Sequence, residues 1–285
     1  MPGSVFRSGG MIGIHSTSTT ASPSSHYTNS VIKAKNSLSE IEFQKRRNLW
    51  PTTAGNLSLI NDFTYYWDAA VPYSYPTTGG STWYDLRGGN QYLYSNNGTF
   101  AGNAVYSSEG GGSIYLDGTG DWITSFSSAI SNATTRTVGV FFKTPSSSFQ
   151  TLIANRVASD NGWSIIINPT ASVAVRVSHF TPTTDYTLDS LAGFLLATDT
   201  WYHVTYTYDR TTLDAYSYIN GAGVASDLTF NNDTSSAFNG VIGAGTSAFA
   251  FPFTGYIGLV YISNLVFSGS DVLTLHNTFK ERFGI

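Results

Sequence analysis

Trp201-Tyr202-His203-Val204-Thr205-Tyr206-Thr207-Tyr208-Asp209 is the stretch whose reading decides the fold class of this 285-residue chain. Tyr202, Val204, Tyr206 and Tyr208 alternate with His203, Thr205 and Thr207. That period of two puts the first set on one buried face of a β-strand. A turn over residues 209–212 leads into a second run, residues 213–219. Asn220-Gly221 behind it is the signature of a tight hairpin turn, because both positions tolerate a positive φ. Upstream, Val173, Val175 and Val177 alternate with Ala174, Arg176 and Ser178, and residues 137–143 (Thr-Val-Gly-Val-Phe-Phe-Lys) read as a core strand. Downstream, residues 257–267 read as a last long strand. Short strands separated by regular turn signals predict an all-β fold, a two-sheet antiparallel jelly-roll sandwich. A short C-terminal helix closes the chain: Ser270 is its expected cap, Asp271 lies in the first turn, Val272, Leu275 and Phe279 share a face, and Gly284 follows near the end.

Composition agrees with strands. Tyr (18), Phe (18) and Gly (28) are abundant, while charged residues make up only 11%, against about 25% in an average soluble domain. No cysteine is present, which excludes disulfides and thiolate metal sites. Residues 1–50 hold six Lys/Arg against two Glu, a net of +4; with −4 overall, residues 51–285 carry −8. A basic segment joined to an acidic body predicts two parts with different surroundings. Residues 1–60 read as an N-terminal arm, extended through its Ser/Thr/Gly-rich start. A helix is expected over residues 30–48, with Ser39-Glu40-Ile41-Glu42 as a capping box and Lys45, Arg46 and Arg47 at its negative end. Residues 61–285 form the sandwich. The acidic body argues against nucleic acid as a partner. Residues 1–7 contain no apolar run, so no secretory signal peptide is expected, and no 18-residue apolar stretch predicts a membrane span.

Several segments, in order, resemble the concanavalin A-like lectin/glucanase domains of the laminin-G-like group. They are Tyr65-Tyr66-Trp67-Asp68-Ala69-Ala70, Ser74-Tyr75-Pro76, Thr82-Trp83-Tyr84-Asp85-Leu86, residues 96–100 (Asn-Asn-Gly-Thr-Phe) and the run from Gly112 to Ile123. Residues 201–209, Tyr218-Ile219-Asn220-Gly221, residues 253–258 and the closing helix complete the series. The stretches around Trp67-Asp68-Ala69, Ser74-Tyr75-Pro76 and Trp83-Tyr84-Asp85, with the ending Lys280-Glu281-Arg282-Phe283-Gly284-Ile285, are similar to domains in structural proteins of tailed bacteriophages. That resemblance implies a sandwich over about residues 63–285 and leaves the first 60 residues as an addition. It also implies a virion component made in the host cytoplasm: a capsid decoration, a fibre or a tail part.

Glycosidases of this superfamily use paired carboxylates on one strand face. The Glu residues here are Glu40, Glu42, Glu109 and Glu281, two in the arm, one in a Gly-rich loop and one in the last helix. Asp185/Asp189 and Asp117/Asp121 sit in apparent loops. His203 reads as a packed or hydrogen-bonded strand residue and His179 as a loop-edge residue. No catalytic residues are therefore assigned, and the chain is expected not to be an enzyme. Calcium is the one metal that the resemblance suggests, through Asp117 and Asp121 flanking a Gly-rich turn; the same two residues could instead stabilise that turn by bonding their own backbone. No other cofactor is expected. Trp83, Tyr84 and Trp122 are the candidate glycan contacts, because loops flank them. Two functions stay open together: a virion structural protein attached to other virion proteins through residues 1–50 as a homo-oligomer, and a carbohydrate-binding adhesin for host-surface glycans.

Overall fold

The computed structural model describes residues 59–285, apart from 60–61, 73, 76–78, 87–96, 157–161, 169–174, 181–184, 190–195, 231–237 and 246–250. The expected arm and its helix over residues 30–48 lie outside the described residues, as does Val173.

In chain order the strands are β1 (Tyr65–Asp68), β2 (Thr82–Trp83), β3 (Gly98–Ala101), β4 (Val105–Ser107), β5 (Ser113–Asp117), β6 (Trp122–Thr124), β7 (Thr135–Lys143) and β8 (Gln150–Asn155). There follow β9 (Gly162–Ile167), β10 (Val175–Phe180), β11 (Asp185–Asp189), β12 (Trp201–Asp209), β13 (Asp214–Ile219), β14 (Ala222–Asp227), β15 (Val241–Ile242) and β16 (Thr254–Ser263). A 3-10 turn, Glu109–Gly111, precedes β5; helix α1 (Ala129–Asn132) precedes β7, and helix α2 (Gly269–Phe283) ends the fold. One sheet runs β14-β13-β12-β7-β16-β5-β4, with β1 also on β16; the other runs β11-β10-β9-β8-β15-β6-β3-β2. The pairings are antiparallel, so the expected two-sheet sandwich is what the chain forms.

The period of two in β12 puts Tyr202, Val204, Tyr206 and Tyr208 into the core between the sheets, beside Trp67, Val140, Phe142, Trp163 and Val177. Its other face is buried as well, which the alternation did not reveal. Helix α2 lies on that side, and Val272, Leu275, Phe279 and Phe283 pack there with Phe141, Trp201, Leu259 and Tyr261. Gly139 leaves room for the Tyr261 ring of the neighbouring strand: a Cβ there would overlap that ring.

Several boundaries differ from expectation for identifiable reasons. Asn220 (φ 51°) and Gly221 (φ 79°) form the expected two-residue hairpin turn between Ile219 and Ala222. β13 starts one residue late because Leu213 has a positive φ of 65°. β16 ends at Ser263 rather than near residue 267. Beyond it, side chains replace ladder partners: the Thr137 hydroxyl donates to the Leu265 carbonyl (2.7 Å) and accepts from the Phe267 N–H (2.9 Å). The cap of α2 is Ser268, not Ser270. Ser268 has extended backbone (ψ 163°), and its hydroxyl accepts from the Asp271 N–H while Asp271 accepts from the Ser268 N–H, a capping box. His179 is not at a loop edge. It continues the inward parity of Val175 and Val177, is fully buried, and its Nε2 hydrogen-bonds the Tyr206 hydroxyl on the facing sheet. Asp185 and Asp189 are the ends of strand β11, not loop residues, and Asp189 forms an ion pair with Arg176.

Strand β16 has two successive partners on one edge. Thr254–Ile257 pair with β5, and Leu259–Ile262 pair with β1. The register shift against β7 between Ile257 and Leu259 marks the change-over at Gly258. Arg282 of α2 fills that seam. Its guanidinium pairs with Asp68 (Nη1–Oδ1 2.6 Å) and donates to the carbonyls of Gly110 (2.8 Å) and Gly112 (2.6 Å). Both side chains are buried, at 2% and 1% exposure. Asp68 is further satisfied by the Ala70 N–H (2.9 Å) and the Tyr66 hydroxyl (3.3 Å).

Candidate functional site

The Gly-rich turn between β5 and β6 is locked by its own acids. Gly118 and Gly120 adopt φ of 81° and 77°. The buried Asp121 accepts from the Asn103 N–H through Oδ1 (2.7 Å) and from the Asp117 N–H through Oδ2 (2.9 Å). Asp117 accepts from the Thr119 N–H (2.6 Å) and the Asn103 amide (3.1 Å). These bonds, the one from Thr119 foremost, hold Asp117 below its ordinary carboxylate range. Each of the four oxygens thus accepts an N–H donor. Among the described residues no group of three or more acidic or histidine side chains adds ligands. These bonds make the pair a lock on the turn, the second of the two roles that the sequence left open.

The three aromatic candidates separate. Trp83 is a correction: it is fully buried in the core between the sheets and has no face to offer a sugar. Loops do flank it, but β2 pairs with β3 and turns the indole inward. Tyr84, one residue on, is half-buried and tied through its backbone to Ser74. Trp122 is half-buried at the start of β6; since Ile123 points into the core, the indole faces outward, with Ala101 of β3 as its strand neighbour. Trp122 and Tyr84 thus flank β3 on its two sides.

His203 is a structural residue. Its Nε2 lies 2.9 Å from both the Tyr261 hydroxyl and Thr205 Oγ1, and its ring stacks on Phe141 at 4.0 Å. Burial first, and the nearby His276 second, push its pKa well below 6.5.

A second group of side chains emerges only from strand pairing. Val105 (β4) opposes Tyr115 (β5), Tyr115 opposes Tyr256 (β16), Tyr256 opposes Lys143 (β7), and Lys143 opposes Trp201 (β12). Ile114, Leu116, Phe142, Tyr202 and Ile257 face the core, so the five residues form one row on the outer face. At about 4.8 Å per strand the row spans roughly 19 Å. Val105 is exposed, while Tyr115, Tyr256 and Lys143 are half-buried. The two tyrosine rings lie 5.0 Å apart, tilted by 48°. Lys143 Nζ sits 5.1 Å from the Tyr256 ring centre and 2.8 Å from Glu109. The Trp201 indole N–H reaches Glu109 at 3.5 Å. The Lys143 ammonium, through its hydrogen bond first, lowers the Glu109 pKa.

The turn that carries Glu109 is fixed from behind. Gly110 (φ 58°) sits so close to Trp201 and Phe283 that a Cβ would overlap both, and its carbonyl is held by Arg282. Sequence reading missed Tyr115, Tyr256, Lys143 and Glu109, because their adjacency depends on two non-local strand pairings, β5 with β16 and β16 with β7, and on one ion pair. The only local hint was the Tyr115 and Asp117 alternation along β5.

The fold and this geometry agree with comparisons to known proteins. Residues 117–273, more than half of the chain, match the family described as the concanavalin A-like lectin/glucanases superfamily. The chain belongs to this superfamily. Among solved structures, domain 4 of AbnA, a GH43 extracellular arabinanase from Geobacillus stearothermophilus, in complex with arabinotriose, superposes with a TM-score of 0.59. It is 17% identical, and the match covers 75% of this chain and 98% of that one. The binding domain of botulinum neurotoxin serotype D gives a TM-score of 0.57 at 16% identity, over 76% of this chain and 52% of that one. The receptor binding domain of the botulinum neurotoxin C/D mosaic serotype gives 0.56 at 16% identity, over 76% and 51%. This chain therefore spans about half the length of the toxin chains. At such identities the likeness is one of fold. No curated protein matches the sequence. Among the described residues no helix is long and apolar enough to cross a membrane.

Proposed function

We propose that this member of the concanavalin A-like superfamily is a non-enzymatic, carbohydrate-binding structural component of a tailed-phage particle. One observation carries the binding reading: two partly exposed tyrosine rings share one outer-face row, with an exposed carboxylate on the turn beside it. Aromatic faces flanked by fixed polar groups suit sugars, whose rings present both C–H faces and hydroxyls. One solved neighbour supports it by its ligand, a domain in complex with arabinotriose. Trp122 and Tyr84 are additional contacts in this reading.

The non-enzymatic part rests on how the acids are used. Glu109 is engaged by Lys143 and Trp201, Asp117 and Asp121 by backbone N–H groups, Asp189 by Arg176, and Asp68 by Arg282. The particle setting rests on the basic residues 1–50 joined to an acidic body and on the phage-like motifs. In it, residues 1–50 attach to other virion proteins, copies assemble as a homo-oligomer, and host-surface glycans are bound with avidity. Two measurements test the proposal. The full-length chain on a glycan array should give saturable binding, and no binding would remove the carbohydrate reading. Gold-labelled antibody to the chain should decorate purified particles, and unlabelled particles would remove the virion setting.

A further inference from the structure

We propose that the outer-face row is a subsite selective for neutral saccharides, with Tyr115 and Tyr256 as its stacking platform and Glu109 as its hydroxyl acceptor. The proposal rests on the carbohydrate-binding reading and adds the ligand class and the residue that sets it. Three observations carry it.

The first is charge. The single cation of the row, Lys143, lies between the Tyr256 ring and Glu109 and is already neutralised at 2.8 Å. An acidic sugar would have to compete for that ammonium and lie against the Glu109 carboxylate, whose side chain is 41% exposed. Residues 51–285 as a whole carry a net −8, so the long-range field also opposes anions.

The second is preorganisation. Trp201 and Lys143 both approach Oε1 of Glu109, so the carboxylate is held at that oxygen and Oε2 is the acceptor offered to sugar hydroxyls. Arg282, itself buried, clamps the turn that holds Glu109. The acceptor is therefore positioned before any ligand arrives, which lowers the entropic penalty of binding.

The third is direction. The tyrosines belong to adjacent strands, so a stacked chain runs across the strands, from the exposed Val105 edge toward Glu109.

The test is isothermal titration calorimetry on the full-length protein. The probes are neutral arabinan, xylan and β-glucan oligosaccharides, and acidic oligogalacturonate and sialyllactose. The wild type should bind one of the neutral series and none of the acidic probes. Tyr256→Ala, and independently Tyr115→Ala, should weaken neutral binding about tenfold, the loss of one good aromatic contact, with thermal melts confirming that each variant is folded. Glu109→Gln should give the diagnostic result: the amide keeps an acceptor for hydroxyls but releases Lys143, so acidic probes begin to bind while neutral binding weakens. Equal binding of acidic and neutral probes by the wild type overturns the proposal. So does neutral binding that is lost in Trp122→Ala but kept in both tyrosine variants, although the carbohydrate-binding reading would then stand. No binding of any probe overturns the proposal, and the glycan array then decides the carbohydrate-binding reading.

Discussion

Replacing Arg282 by Met tests how the last helix is joined to the sandwich. The guanidinium occupies the seam where β16 changes partner from β5 to β1, with Asp68 at 2.6 Å and the carbonyls of Gly110 and Gly112 at 2.8 and 2.6 Å. Met fills similar apolar volume but leaves the Asp68 carboxylate, 1% exposed, without its counter-charge. Breaking one side of such a buried pair costs about 3–5 kcal/mol. At about 2–4 °C per kcal/mol for a domain of this size, Tm should fall by about 6–20 °C. Circular dichroism melts at pH 7 measure it. The cycle with Asp68→Asn separates charge from packing: when Asp68→Asn is already in place, Arg282→Met should be milder, with a coupling of about 0.5–3 kcal/mol. A fall below about 2 °C for Arg282→Met, or strict additivity in the cycle, would refute the argument that this pair holds the seam.

Three more perturbations read other parts of the fold. Gly139→Ala pushes a methyl into the Tyr261 ring and should destabilise by about 1–3 kcal/mol in denaturant titrations; an unchanged midpoint would mean that the Tyr261 ring moves aside without cost. Ser268→Ala should cost about 1 kcal/mol and Ser270→Ala less than about 0.5 kcal/mol, because only Ser268 makes the capping box. Two of the buried imidazoles, His203 and His276, make stability pH-dependent. Burial lowers both His203 and His276, with His276 also acting on His203 and Lys280 on His276, while Tyr261, Thr205 and Phe141 surround His203. The unfolded chain takes up these protons near pH 6.5 and the native chain only at lower pH, so below about pH 6.5 the unfolded state binds more protons. Stability is then full above that pH and falls as the pH drops below it. Melts from about pH 8 to about pH 5 should show this decline, flattened in His203→Gln; a Tm that rises on acidification through this window would contradict it.

Much of the fold was legible because its signals are local. The alternation in residues 201–209 and the Asn220-Gly221 turn need only a few neighbouring residues to be read, and both stand in the structure as expected. What was hidden is non-local. The second buried face of β12 depends on α2 folding back over it, and nothing in Thr205 or Thr207 announces a helix above them. His179 looked peripheral because its partner, Tyr206, belongs to the opposite sheet. The cap of α2 was misplaced by two residues because both serines precede Asp271, and only the extended ψ of Ser268 decides between them. The same reason governs the site. Trp83 stood out by its residue type and flanking loops, yet strand pairing turns it inward, whereas Tyr115 and Tyr256 are separated by more than half of the sandwich in sequence and meet only through β16. Trp67-Asp68-Ala69 and the terminal Arg282 were read as motifs of a resemblance; the structure shows that Asp68 and Arg282 form one buried ion pair.

The central claim, that this sandwich binds sugars without cleaving them, is tested most directly by saturation-transfer difference NMR of the full-length chain with neutral oligosaccharides followed over a day. The account predicts transfer to sugar ring protons, reduced in Tyr256→Ala, with anomeric signals that do not change in time. Absence of transfer, or the growth of new reducing-end anomeric signals, would contradict it.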